Sequence, residues 1–372
     1  MPDINATCPH CNGPHDILFC CGVCVLEHRF CEQRWPGKGL SQRVLRELLR
    51  QGYPLAELTP CELFLRIRGR TLWFMGDSQT WHFYLAVECF LHEFALDFVR
   101  RNVTDDPEMR LLLRPVTVTK ERYSLCLHLV EDTKVCVIRA DDGWVMARDI
   151  FPTLRTLRGP ALTNDVMVYN FGLHYPPTPG ILGAQLAHMA DYVKANASWM
   201  PRMIWMDTPP QHFRSPSGMY GKEAVGKGCP PLDNNTIVQE GGPYNKLARP
   251  YVGRLGQYHL ETWNATVPFH YTHLNPDCTH FCSPGPYQLW IFLLNGLLRD
   301  EGLGNAVAGG VGVERPTKQQ REESKQQPGQ QQPQQEEHVP GGQQGQQQGG
   351  LPEGSRQGFE GNSAVTRGAA QQ

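Results

Sequence analysis

TLWFMGDS, residues 71–78, is the stretch whose reading decides the fold. Residues 71–75 read as a buried strand, in which 72–75 form a short, continuous apolar run without alternation. The run stops at Gly76-Asp77-Ser78. From residue 81 to 99, Phe83, Val87, Phe90, Leu91 and Phe94 then follow at helical spacing. A strand that breaks directly into a helix presents its last side chains at the carboxyl edge of the sheet, where open α/β folds place ligands. Glycine at 76 allows the turn without a Cβ clash. The backbone N–H groups that open the next helix face the same point and can stabilise an oxyanion. By itself, Gly-Asp-Ser is also the sequence of a plain turn with Ser78 as helix N-cap.

Outward from this stretch the same alternation continues. Residues 124–129 and 134–139 read as two strands joined by the polar Glu-Asp-Thr segment. Residues 165–169 and 202–206 read as further strands. Residues 181–195 read as an amphipathic helix and 287–298 as a strongly apolar one. Strands alternating with helices predict an α/β domain with a mostly parallel central sheet over residues 62–301. Residues 1–61 form a Cys-rich segment in which only 42–50 reads as a short helix. Residues 302–372 are rich in Gln, Gly, Glu and Pro. Such a segment has too little apolar surface to offset its ordering entropy, so it is expected to be disordered, and no chemistry is assigned to it.

The chain has 372 residues, 40% of them hydrophobic, which is enough for one large core or two modest ones. Lys and Arg total 35 against 37 Asp and Glu. This balance offers no basic excess for nucleic acid. The thirteen cysteines are the informative count. So many are unusual in a cytosolic enzyme without a metal and ordinary in an oxidised secretory domain. Asn5, Asn102, Asn196, Asn234 and Asn264 each open an Asn-x-Ser/Thr sequon, in line with that compartment. Cys8-x-x-Cys11 and Cys21-x-x-Cys24 have zinc-ribbon spacing within each pair, but the gap between the pairs is short and Cys20 and Cys31 crowd the same region; disulfides and no metal are expected because the secretory reading supplies an oxidising compartment. The opening MPDINATCPH has neither a basic nor an apolar leader region. No run of about 18 apolar residues is present to span a bilayer. On the secretory reading, membrane association is therefore expected only through a segment not present in this chain. Oligomeric state is not legible.

The second half of a site stands near the end of the globular part, at Asp277-Cys278-Thr279-His280. A tight loop or helical turn puts residues three apart on one side. Asp277 can then hold the His280 imidazole in one tautomer, leaving the other ring nitrogen to take the Ser78 proton. The plainer alternative has Asp277 capping a turn and His280 on a polar rim.

Four segments resemble the SGNH/GDSL superfamily, and more closely its PC-esterase branch, which includes the trichome birefringence-like polysaccharide O-acetyltransferases. RIRGRTLWFMGDSQ (66–79) is similar to the nucleophile block of that branch, VYNFGLHY (168–175) to its Asn-x-Gly block, MDTPPQHF (206–213) to its Ser-Pro-x-His-Phe block, and DCTHFCSPGPYQLW (277–290) to its Asp-Cys-x-His-Trp-Cys-x-Pro-Gly block. The blocks follow the family's order and span roughly residues 55–300. Phe281 stands where the plant members carry Trp, Gln79-Thr80 departs from their usual Leu/Ser-Arg, and Asp207 and Pro209 alter the third block.

The resemblance implies a three-layer SGNH-hydrolase-like α/β fold with Ser78, Asp277 and His280 as catalytic residues. It implies an oxyanion hole drawn from Gly76, Asn170 and Gly172, one such donor contributing about 2.7–4 kcal/mol to the transition state; the plainer alternative for Asn170 and Gly172 is a loop Asn and a turn Gly. His174 and His212 then either touch the acceptor or close structural hydrogen bonds. Cys278 and Cys282 resemble family cysteines that bridge and rigidify the catalytic loop. No tightly bound cofactor is implied. An acetyl donor (acetyl-CoA or similar) is the expected co-substrate, a carbohydrate or polysaccharide the acceptor partner, and the secretory pathway, Golgi lumen or exterior, the location. An esterase working on carbohydrate esters and a non-catalytic glycan-binding protein are the alternatives.

Overall fold

The computed structural model describes residues 46–48, 50–53, 59–96, 101–102, 125–273, 277–282 and 285–304. The cysteines at 8–31, and all of the Gln/Gly-rich segment beyond 304, lie outside the described residues, as do 42–45 of the short helix.

The described residues form a mixed α/β fold around a seven-stranded, mostly parallel sheet. Its strands are β1 (Thr71–Gly76), β2 (Arg101–Asn102), β3 (Leu125–Leu129), β4 (Thr133–Arg139), β5 (Val166–Asn170), β6 (Arg202–Met206) and β7 (Tyr258–Leu260), in the order β2-β3-β4-β1-β5-β6-β7. From β4 through β7 every pairing is parallel, while β3 pairs antiparallel with both β2 and β4. The central place of β1 explains its sequence, since all six residues are buried and a strand covered on both faces needs an unbroken apolar run. The β3–β4 hairpin turns on Glu131 and Asp132, both left-handed at φ 56° and 53°, with the Thr133 N–H donating to the Val130 carbonyl across them at 3.3 Å. Cys126 and Cys136 stand directly opposite each other on β3 and β4 and are joined by a disulfide.

Helices cover both faces of the sheet, the longer ones among the described residues being α1 (Pro60–Ile67), α2 (Ser78–Phe90), α3 (Phe151–Arg158), α4 (Ile181–Asn196), α5 (Gly242–Ala248) and α6 (Pro286–Asp300). Side chains alternate across β1, so Leu72 and Phe74 enter a core shared with α1, α2 and α6. Trp73 and Met75 enter the opposite core, shared with α3 and α4. The sheet is thus the middle of three layers. The helix after β1 lies on one face and the helices after β4 and β5 on the other. The carboxyl end of β1 is therefore a topological switch point, where crevices open in such sheets.

Four boundaries differ from the sequence reading. α2 begins at Ser78 rather than 81, because the Asp77 carboxylate caps it by accepting the Gln79 N–H at 3.0 Å. Asp77, not Ser78, is the N-cap. The same helix ends at Phe90. Beyond a short turn at His92–Phe94 the chain becomes extended, Ala95 bridges to Leu129, and the Leu96 N–H bonds the His128 carbonyl at 2.9 Å. Sheet hydrogen bonds thus override a helical spacing of apolar residues that had pointed to one helix through residue 99; 97–100 lie outside the described residues. The folded part also extends past both ends of residues 62–301. α1 crosses residue 61, and Leu48 and Leu303 are buried in the α1–α2–α6 core.

Candidate active site

Ser78 is the first residue of α2 and is half-buried, at the carboxyl end of β1. Gly76 pairs in register with Asn170 of β5. A Cβ at position 76 would collide with the Asn170 carbonyl and the Thr80 hydroxyl. Glycine is what lets β1, β5 and the first turn of α2 meet closely enough to project Ser78 outward.

His280 and Asp277 come from the loop that leads into α6. The Ser78 hydroxyl lies 2.6 Å from His280 Nε2. His280 Nδ1–H donates to Asp277 Oδ2. The other carboxylate oxygen accepts the Thr279 N–H at 2.7 Å and the His280 N–H at 3.3 Å. Burial raises the Asp277 pKa, but the His280 hydrogen bond and charge and the two backbone N–H groups outweigh it and bring the group down to about 2. An ionised Asp277 fixes the Nδ1–H tautomer and leaves Nε2 with a lone pair toward the Ser78 O–H. That arrangement can take a proton from a hydroxyl as it attacks an acyl carbon and return it to a leaving group.

The loop is pinned from several sides. Cys278 is disulfide-bonded to Cys229. The Cys278 carbonyl accepts the His212 N–H at 2.9 Å, the Cys282 N–H donates to the Thr272 carbonyl at 2.7 Å, and Gln211 Nε2 donates to the Thr279 hydroxyl at 2.8 Å. Sequence reasoning missed His82, whose ring lies 4.8 Å from that of His280. It sits four residues after Ser78, one helical turn on, so the spacing alone places it on the same side of α2.

The remaining expected site residues divide. Asn170 ends β5 beside Gly76, but its side-chain amide donates to the Met206 carbonyl at 2.8 Å and to the Thr208 hydroxyl at 3.2 Å. Here it braces the carboxyl ends of β5 and β6, with both N–H directions occupied. Gly172, at φ 115°, turns the chain just beyond β5, with Leu182 packed where a Cβ would stand. His174 is open to solvent on the rim, 3.3 Å from Arg139 Nη2 and 3.8 Å from Asp141 Oδ2. Arg139 is the residue opposite Gly76 on β4 and donates to Asp141 at 2.6 Å. These groups reach the buried Asp77. Burial raises its pKa, as does the Asp141 carboxylate, while His174, the Gln79 N–H and Arg139 oppose the rise.

His212 closes structural hydrogen bonds. It is fully buried behind the Asp277–His280 loop, with Nε2 3.0 Å from the Val267 carbonyl and Nδ1 2.7 Å from His273 Nε2. His273, also missed in the sequence, carries the chain on, with Nδ1 2.9 Å from the His280 carbonyl. Burial drives the His212 pKa down to about 3 and that of His273 well below its ordinary value. The altered third block has its own role: Asp207 accepts from His259 at 2.7 Å and from the Trp263 N–H at 3.2 Å, fastening the end of β6 to β7 and the turn that follows.

Among the described residues no cluster of three or more His, Cys, Asp or Glu is placed to hold a metal ion, and no helix is long and apolar enough to cross a membrane. The disulfides Cys126–Cys136 and Cys229–Cys278 fit a secreted or lumenal protein. No protein-family model matches the chain, and no curated protein matches it.

Proposed function

We propose that this protein is a serine-dependent acyltransferase of the SGNH/PC-esterase kind that moves an acyl group, acetyl by resemblance, onto glycan hydroxyls in the secretory lumen. The observation that carries the reading is the continuous hydrogen-bonded chain from Ser78 through His280 to Asp277, standing at the carboxyl end of the central strand. The order of parts agrees with the resemblance. A buried strand ends in Gly-Asp-Ser, a helix starts at the serine, and Asp-x-x-His lies in the loop before the last long helix.

In the first half-reaction His280 Nε2 takes the Ser78 proton as Oγ attacks the carbonyl carbon of an acetyl thioester such as acetyl-CoA. Negative charge gathers on the carbonyl oxygen near the first turn of α2, whose N–H groups and dipole favour an anion there. The C–S bond breaks, the proton passes from His280 to the thiolate, and Ser78 carries the acetyl group. In the second half a sugar hydroxyl gives its proton to His280 and attacks the acetyl-serine. The serine oxygen leaves and recovers the proton. Water in place of the sugar makes the same site an esterase.

The test incubates purified protein with labelled acetyl donor, with and without oligosaccharides, beside Ser78→Ala. Label reaching glycan supports transfer, and free acetate alone supports the esterase. Wild type indistinguishable from Ser78→Ala sinks both enzyme readings and leaves a glycan-binding role.

A further inference from the structure

Gln79 follows the candidate nucleophile and is almost wholly buried. Its side chain reaches across to the other half of the site. Gln79 Nε2 donates to the carbonyl of Thr279, the residue before His280. Gln79 Oε1 faces the Tyr287 hydroxyl at 3.3 Å, and that same hydroxyl accepts the N–H of Phe281, the residue after His280, at 3.2 Å. The directions agree along the whole path. The Phe281 N–H donates to the Tyr287 oxygen, the Tyr287 O–H donates to Gln79 Oε1, and Gln79 Nε2–H donates to the Thr279 carbonyl. One amide thereby holds the peptide on each side of His280 and ties both to the first turn of α2.

We infer that Gln79 is a positioning residue, which with Tyr287 clamps the His280 backbone at a fixed distance from Ser78. This rests on the acyl-transfer reading for its consequence but not for its geometry. Each part has the chemistry the task needs. A carbonyl on one side of His280 requires a donor and an N–H on the other requires an acceptor, and a primary amide extended by a hydroxyl supplies both. Glutamate in the same place would turn an acceptor-only carboxylate on the Thr279 carbonyl, and leucine would supply neither partner. Tyr287 is itself held by its ring, edge-on to Trp290 at 4.9 Å and Phe281 at 5.9 Å, so its hydroxyl is a fixed point. The position also bears on the departures noted in the sequence, since Gln79 is one of the residues in which this chain differs from the block that it resembles.

The experiment compares wild type, Gln79→Leu, Gln79→Glu and Tyr287→Phe, with Ser78→Ala as baseline. Two readouts are taken: kcat and KM for acetyl transfer or release, and the downfield proton resonance of the His280 Nδ1–H···Asp277 hydrogen bond. Misplacing a catalytic group by about 1 Å costs on the order of 100-fold, so Gln79→Leu and Gln79→Glu are expected to lower kcat by roughly 10- to 100-fold with KM little changed. Tyr287→Phe is expected to lower it less, because the Thr279 bond survives. In all three the downfield resonance is expected to shift or broaden. Folded Gln79 variants with wild-type kcat and an unmoved resonance would overturn the inference. Should the Gln79 variants not fold, Tyr287→Phe decides by the same two measures. If wild type shows no turnover above Ser78→Ala, the acyl-transfer reading fails alone, and the resonance still tests the clamp.

Discussion

At the scale of single residues, the site sets two titrating environments side by side. Asp277 keeps its charge because His280 and two backbone N–H groups bond to it. Its folded pKa lies below the ordinary 3.8, so the stability it contributes is complete above that value and fades only as pH falls through about 2. His212 and His273 are held uncharged instead. Two neutral imidazoles carry two N–H protons between them, yet they make three close approaches, to Val267, to each other and to His280. A shared extra proton would satisfy all three, but burial without a facing carboxylate in contact makes that charge expensive. His212 therefore stays neutral down to about pH 3 in the folded protein, while an unfolded histidine protonates near 6.5. Between those values the unfolded chain binds more protons, so stability is full above pH 6.5 and declines as pH falls toward 3. Each such histidine contributes a slope of up to about 1.4 kcal/mol per pH unit. Urea unfolding of wild type and His212→Gln from pH 7 to pH 4 measures it. The variant is expected to show the flatter dependence, whatever its absolute stability. Equal slopes would mean that His212 is not the titrating group.

At the scale of elements, the disulfides Cys126–Cys136 and Cys229–Cys278 differ in what they hold. Cys126–Cys136 joins opposite residues of a hairpin that its turn and ladder already close, ten positions apart. Cys229–Cys278 spans 49 positions and anchors the residue between Asp277 and Thr279. Loop-closure entropy gives about 3 kcal/mol for the shorter and about 4 kcal/mol for the longer. The similar cost to stability is expected to go with unlike effects on activity: Cys229→Ser lowers kcat, whereas the double variant Cys126→Ser/Cys136→Ser lowers the melting temperature with kcat kept. Equal kcat losses in both would show that the bond at Cys278 acts only through global stability. The same contrast marks what the sequence made legible. β1, β5 and β6 were readable because central strands must be continuously apolar. The Asp277–His280 pair was readable because its spacing is local. The end of α2 was not, because its apolar spacing continued while the chain was captured by the edge of β3. Nor were His273 and Gln79 as partners of the Asp277–His280 loop, or the burial of His212, since their contacts depend on which loops the sheet brings together.

For the molecule as a whole, the disulfides and the sequons make one joint statement about compartment. If the chain matures in a secretory lumen, the sequons that its fold leaves open should carry glycan. Asn264 is exposed beyond β7. Asn234 is exposed too and uses its side-chain oxygen to cap the helix at Asn235–Glu240. Asn196 is different, because its Nδ2, the atom that would be glycosylated, donates to the Tyr192 carbonyl at 2.8 Å while its oxygen accepts from Trp199 at 3.1 Å. Glycosylation replaces one of the two Nδ2 hydrogens and would set a sugar against this hydrogen-bonded end of α4, so folded secreted protein is expected to carry it least. Amidase release of glycans in heavy-oxygen water, followed by peptide mass mapping of protein secreted from eukaryotic cells, reads occupancy site by site. High occupancy at Asn264 and Asn234 with little at Asn196 is the expected pattern. Secreted, active protein without glycan at either exposed site would separate the cysteine argument for a lumenal fold from the sequon argument, leaving the first to stand alone.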